Sequence, residues 1–316
     1  MKFACVFPGQ GSQSIGMMAE LAEAYPIVTE LFSSASSVLG YDLWDVVQNG
    51  PVEKLNSTEV TQPAMLTAGV AVYEILKQKF KKAPEVMAGH SLGEYTALVC
   101  AGALNFEDAV KLVAERGSLM QAAVPEGVGA MAAILGLEDS VIKEICELCS
   151  DDNYAVQAVN FNSPGQVVVA GNIQAVETAM AVAKDRGAKR AVKLPVSVPS
   201  HSNLMTGAAK QLTARLKEVK IKKASTIPVI QNVTAKNYIK PADVKKNLAK
   251  QLHNPVLWVD CINVLIAEGV DTILECGPGK VLIGLNKRIN KDVTHFTINN
   301  IETLDSALER VGKKKK

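Results

Sequence analysis

The chain begins with an apolar run, Phe3-Ala4-Cys5-Val6-Phe7, that stops at Pro8-Gly9. A short run bounded by turn residues predicts a buried strand, followed here by the glycine-rich loop Pro8-Gly9-Gln10-Gly11-Ser12-Gln13. Thr61-Gln62-Pro63 predicts a helix start, with Thr61 as N-cap and Pro63 in the first turn, running to about Lys79. Residues 86–88 predict a second strand, and a helix-like segment follows Gly93. Further strands are expected at 227–230 and 272–274. Strands alternating with amphipathic helices point to an α/β fold with a mainly parallel sheet covered on both faces.

Residues 128–195 follow another rhythm. Strands are expected at 130–135, 155–160, 166–170 and 189–194, and helices at 138–148 and 175–185. Asn162-Ser163-Pro164-Gly165 reads as the turn between the second and third strands. The order β-α-β-β-α-β is that of a ferredoxin-like unit. It is read as a small subdomain, 128–195, inserted into a larger catalytic unit made of 1–127 and 196–316. The chain returns to that unit through Pro195-Val196-Ser197-Val198-Pro199-Ser200-His201.

Composition narrows the class without naming it. The 316 residues are 48% hydrophobic and 21% charged, ordinary for a globular protein. No apolar run approaches the ~18 residues of a membrane span, and the first run is too short for a signal-peptide core. A cytoplasmic protein without membrane contact is expected. Net charge is +2, yet residues 210–250 hold eleven basic residues against two acidic ones. Such a face suits an acidic protein partner, with a merely solvated lysine-rich surface as the alternative. Few aromatics or arginines interleave with the lysines, so nucleic acid is not expected. Residues 313–316 read as a solvated basic tail. Cys5, Cys100 and Cys276 sit in apolar runs as small core residues. Cys146 and Cys149 form a C-x-x-C inside a helical pattern with no second pair, so neither a zinc nor a redox site is expected.

The chemistry centres on Gly89-His90-Ser91-Leu92-Gly93. A bare G-x-S-x-G arises by chance in roughly one in ten chains of this length, so the flanking elements matter. A strand before it and a helix after it make a nucleophile elbow, with the Ser91 hydroxyl raised and the Leu92 N–H at a helix N-terminus. A base must come from His90, His201, His253 or His295. His90 adjoins the serine and should point away from it. His201 follows the proline-flanked return between the two units, where a cleft is expected, and is modestly favoured. No acid lies near it in sequence, so a backbone or amide carbonyl would hold its tautomer.

Six motifs now line up: Phe7-Pro8-Gly9-Gln10-Gly11-Ser12-Gln13; Gly89-His90-Ser91-Leu92-Gly93-Glu94-Tyr95; Arg116-Gly117 with Met120-Gln121; Pro199-Ser200-His201; Gln251-Leu252 with Asn254-Pro255-Val256; and Gly277-Pro278-Gly279-Lys280-Val281-Leu282. From residue 3 to about 289 the set resembles the bacterial malonyl-CoA:acyl-carrier-protein transacylases. The resemblance implies an α/β-hydrolase-like core with a ferredoxin-like subdomain. It implies Ser91 as acylated nucleophile, His201 as general base and then acid, and the Gln251 backbone carbonyl as orienter of His201. The N–H groups of Gln10 and Leu92 would form the oxyanion hole, and Arg116 would bind the malonyl carboxylate. Asn160 and Asn162 would line the cleft, although turn chemistry explains Asn162 equally well. No metal or redox cofactor is implied. The expected partners are malonyl-CoA and an acidic acyl carrier protein docking near Lys210, Lys217, Lys220 and Lys223, with the enzyme a monomer. Alternatives are a discrete acyltransferase of a polyketide or polyunsaturated-fatty-acid synthase, a serine esterase or thioesterase, and a non-catalytic carrier-binding scaffold.

Overall fold

Phe3, Cys5 and Phe7 join one apolar cluster while Ala4 and Val6 join another, because successive strand side chains face opposite ways. A strand apolar on both faces needs cover on both sides, as in parallel sheets. The computed structural model describes residues 2–196, 198–222, 227–237 and 240–312. Among them are the strands Phe3–Phe7 (β1), Val86–Gly89 (β2), Gly129–Leu135 (β3), Val156–Ser163 (β4) and Gln166–Asn172 (β5). Arg190–Lys193 (β6), Val229–Gln231 (β7), Lys236–Asn237 (β8), Thr272–Cys276 (β9) and Thr294–Ile298 (β10) follow. One sheet runs β10-β9-β1-β2-β7-β8 and is parallel except for β8 against β7. The fold is thus mixed α/β with a mostly parallel sheet.

The second sheet is separate and antiparallel, in the order β4-β5-β3-β6. Helices Asp139–Leu148 and Ile173–Asp185 complete a β-α-β-β-α-β connectivity. Their apolar faces close a core of their own with β3, β4 and β5, around Ile142, Ile145, Val167 and Val176. β4 extends beyond its expected end. Ser163 pairs with Gln166, which leaves Pro164-Gly165 as the whole hairpin turn. Asn162 is therefore a strand residue, and its reading as a turn former is corrected. The edge of β4 also bonds the segment just before helix Trp258–Ala267. Val256 N–H donates to the Val159 carbonyl at 2.9 Å, and Phe161 N–H donates to the Val256 carbonyl at 3.0 Å.

The long helix between β1 and β2 also differs from expectation. It spans Thr58–Lys79, and Ser57, not Thr61, holds the extended N-cap position. The short helix Val52–Asn56 delivers the chain to Ser57, so the break falls there. Thr61 sits inside the helix and donates its hydroxyl to the Leu55 carbonyl, and Pro63 lies in the interior rather than the first turn. Nearly every residue from Thr58 to Leu76 is buried, so the expected polar stripe is missing. This helix is a core element, packed between Ile27–Leu39, Gly93–Cys100 and Phe106–Ala122.

All six cysteines are free thiols, and Cys100 is only partly buried. Burial pushes the Cys146 thiol up to about 12, leaving little thiolate for redox or metal chemistry. Among the described residues, no group of His, Cys, Asp and Glu could hold a metal ion, and no helix is long and apolar enough to cross a membrane. Residues 313–316, read as a tail, lie outside the described residues.

Candidate active site

β2 ends at Gly89, and a helix opens at Gly93, so Ser91 occupies a two-way bend. Its φ of 51° is in the left-handed region, uncommon for an L-residue and usual at a nucleophile elbow. The bend survives only because its flanks lack side chains. A Cβ on Gly89 would lie 1.9 Å from the Gly93 carbonyl, and one on Gly93 would lie 2.1 Å from the Phe7 oxygen. Gln10 and Leu92 line the same cleft as Ser91. Among the described residues, no protein acceptor takes the backbone N–H of either.

His201 arrives from the return loop, 110 residues away, with its Nε2 2.9 Å from Ser91 Oγ. Its Nδ1 lies 2.6 Å from the Gln251 backbone oxygen. A carbonyl can only accept, so the ring proton sits on Nδ1 and the Nε2 lone pair faces the serine hydroxyl. His201 also has a positive φ, 67°, and its N–H is anchored on the Leu252 carbonyl at 2.8 Å. Burial, aided by the Arg116 charge, pushes the imidazole down to about 3. At neutral pH it is uncharged and able to take a proton. The other histidines lie elsewhere. His90 donates from Nε2 to Asn162 Oδ1 at 2.8 Å and packs edge-on against Trp258. His253 lines a different groove, and His295 on β10 bonds the Asn290 carbonyl.

Arg116, on helix Phe106–Ala122, is 1% exposed and still lines the cleft. Its Nη1 donates to Gln62 Oε1 at 2.8 Å, and its Nη2 donates to Gln251 Oε1 at 2.9 Å. The same Nη2 is 3.3 Å from Ser91 Oγ. The guanidinium lies over the Tyr95 ring, its Nε has no hydrogen-bond partner, and it forms no salt bridge among the described residues. Burial pulls its pKa down, with Tyr95 and Glu94 opposing. A buried guanidinium without a carboxylate is costly unless an anion joins it, and the cleft offers that anion a place.

The cleft measures about 310 Å³ and is walled by Met120, Met131, Leu194, Val196 and Val198. Asn160 lines it with a buried Oδ1 that has no hydrogen-bond partner among the described residues, whereas the Asn162 oxygen is engaged by His90. Gln62, Asn232, Gln231 and Glu94 were not anticipated as site residues. Glu94 accepts from Asn232 N–H at 2.9 Å, from Gln251 Nε2 at 2.8 Å and from Gln231 Nε2 at 3.0 Å. Burial pushes it up to about 7 despite these donors. One sequence signal was available for Asn232: it lies two residues past the end of an expected strand, and sites gather at the carboxyl ends of parallel strands.

Helices Thr206–Glu218 and Pro241–Gln251 pack side by side. Lys210, Lys217, Lys245, Lys246 and Lys250 line a groove of about 500 Å³ between them. Lys220 is exposed just beyond the first helix, and Lys223 lies outside the described residues.

A raised serine, a neutral imidazole held by a carbonyl and a buried guanidinium converge on one oxygen, and the class of protein is that of the acyltransferases. Residues 4–300 match the acyl transferase domain family. The malonyl CoA-acyl carrier protein transacylase of Escherichia coli K12 is 53% identical over 308 residues, covering 98% of this chain and 99% of that one. The crystal structure of an acyl carrier protein S-malonyltransferase from Vibrio cholerae aligns with a TM-score of 0.94 at 52% identity, covering 97% of this chain and 100% of that one. PlMCAT, a malonyl-transacylase solved in complex with the type II PKS acyl-carrier protein AntF, aligns with a TM-score of 0.96 at 49% identity over 98% and 100% of the two chains. The chain belongs to the malonyl CoA-acyl carrier protein transacylase family.

Proposed function

We propose that this protein moves a malonyl group from malonyl-CoA to the phosphopantetheine thiol of an acyl carrier protein, for fatty acid synthesis, through a malonyl ester on Ser91. One observation carries the reading: the oxygen that meets His201 at 2.9 Å also lies 3.3 Å from the Arg116 guanidinium. A nucleophile and a carboxylate receptor so close fit a short diacid thioester.

In the first half-reaction His201 Nε2 takes the Ser91 proton as Oγ attacks the thioester carbonyl. The negative charge forms on the carbonyl oxygen, where the N–H groups of Gln10 and Leu92 serve as donors. Each such donor contributes about 2.7–4 kcal/mol in comparable sites. The C–S bond breaks, and His201 returns its proton to the departing CoA thiolate. In the second half-reaction the carrier thiol loses its proton to His201 and attacks the serine ester. The Ser91 alkoxide then leaves and is reprotonated by His201. The Gln251 carbonyl faces Nδ1–H throughout and stabilises the imidazolium. This is ping-pong covalent catalysis, and as written it uses protein groups and two thiols without metal or redox cofactor. Arg116 grips the malonyl carboxylate with two parallel donors, which a lysine cannot do.

We read the six-stranded unit, 1–127 with 196–316, as an α/β-hydrolase-like core and 128–195 as a ferredoxin-like insertion. We read the whole as a cytoplasmic monomer. Asn160 offers its free oxygen to the donor within the cleft, while Asn162 acts indirectly by fixing His90. The lysine groove, with Lys210 and Lys217 on its wall and Lys220 just beyond the first helix, is assigned to carrier docking. The 49% identity to PlMCAT, solved with a polyketide carrier, favours a second reading in which the acceptor serves polyketide synthesis.

The test is donor selectivity. Arg116→Ala should cut malonyl loading at least 100-fold while changing acetyl loading far less, because a missing buried partner discriminates strongly. Equal losses with both donors would remove Arg116 from the carboxylate role.

A further inference from the structure

Asn232 is fully buried and is not among the residues lining the cleft, yet its carboxamide spans the elbow. Its Nδ2 donates to the Gly89 carbonyl at 2.7 Å, and its Oδ1 accepts from Ser91 N–H at 2.7 Å. One planar group thus grips the two peptide units on either side of His90. The same Oδ1 accepts from Gln251 Nε2 at 3.2 Å, and that nitrogen also reaches the Ser91 carbonyl at 3.0 Å. Asn232 N–H is fixed in turn on Glu94 at 2.9 Å.

We propose that Asn232 is a positioning residue that holds Ser91 in its left-handed conformation and locks the elbow to Gln251, so that nucleophile and base-orienting carbonyl move as one body. The inference rests on the acyl-transfer reading above. The left-handed region is unfavourable for an L-residue, so something must hold Ser91 there. A carboxamide is the side chain suited to the task. It has a donor for the Gly89 oxygen and an acceptor for the Ser91 nitrogen on one rigid plane. An ionised carboxylate has no donor, and alanine has neither group. Because Gln251 supplies the carbonyl that orients His201, a slack elbow shifts Oγ away from Nε2, while Arg116 keeps its bond to Gln62 and the apolar cleft walls, which lie on other elements, stay in place. The loss belongs in turnover, not in donor binding.

The experiment compares wild-type protein with Asn232→Asp and Asn232→Ala in steady-state transfer from malonyl-CoA to a holo acyl carrier protein. Urea unfolding establishes that each variant is folded. Both variants should lose about 100-fold in kcat, the scale expected from a misplacement of about 1 Å. KM for malonyl-CoA should stay within about twofold. Should the alanine variant fail to fold, Asn232→Asp, which keeps the side-chain volume, decides. A folded variant with kcat within about threefold of wild type, or a loss confined to KM, overturns the proposal. Wild-type protein that shows no transfer would instead overturn the acyl-transfer reading, so the two failures are distinguishable.

Discussion

At His201 a single imidazole sits where its charged form is unwelcome. Burial and Arg116 push it down to about 3, whereas an unfolded imidazole protonates near 6.5. Between those values the unfolded chain binds a proton that the folded chain refuses, so stability falls as pH drops below 6.5. At pH 5 the loss from this group should be roughly 2 kcal/mol relative to pH 7.5. Glu94 and Glu275, both pushed up to about 7 by burial, act in the opposite sense, and comparison with His201→Gln cancels them. Urea unfolding at the two pH values should show the extra loss in wild type and not in the variant; an equal loss in both contradicts the assigned state. Ser91 was legible in the sequence because a Cβ on either flanking glycine would fall about 2 Å from backbone atoms, a local constraint that leaves a local signature. Gln62 and Asn232 were not, because each bonds groups far away in sequence and nothing near either position announces the partner.

Among the elements, the elbow and the helix after His201 make opposite demands on glycine. Gly93→Ala would set a methyl group 2.1 Å from the Phe7 oxygen and 3.0 Å from the Pro8 oxygen, both backbone atoms. It should destabilise the fold by about 3 kcal/mol or prevent accumulation of folded protein. Gly207, inside helix Thr206–Glu218, has nothing within 4 Å of an added Cβ. Gly207→Ala should therefore raise stability slightly, by up to about 1 kcal/mol. Thermal unfolding of the pair checks both, and a tolerated Gly93→Ala would contradict the tight crossing of β1 and the elbow. Apolar runs closed by glycine and proline made β1, β2 and β9 readable. The start of Thr58–Lys79 was not readable, because its break depends on the short helix before it and its buried surroundings erase the polar stripe. The end of β4 escaped for a similar reason: Asn162-Ser163 has turn chemistry, and pairing with β5 overrides it.

Across the whole molecule, two sheets and two chemistries must meet. The mostly parallel sheet supplies the elbow, and the return loop supplies His201. The antiparallel sheet supplies Met131 and Asn160 to the cleft, joined through the β4 bridge to Val256. The order of strands and helices made both layers legible, but their meeting at Val256 was not, since only folding brings those segments together. Charge is also organised at this scale. Lys210→Glu with Lys217→Glu should slow transfer to an acidic carrier about tenfold at low salt and spare loading from malonyl-CoA. The difference should narrow as salt rises. An unchanged transfer rate would place docking on another face. The central claim is that one serine carries the acyl group between two thiols, and intact mass spectrometry after mixing with malonyl-CoA tests it most directly. The account predicts one malonyl adduct on Ser91, absent in Ser91→Ala, that persists in water and disappears when holo carrier protein is added as the carrier gains the same mass. An adduct on another residue, or one lost to water as fast as to the carrier, would contradict it.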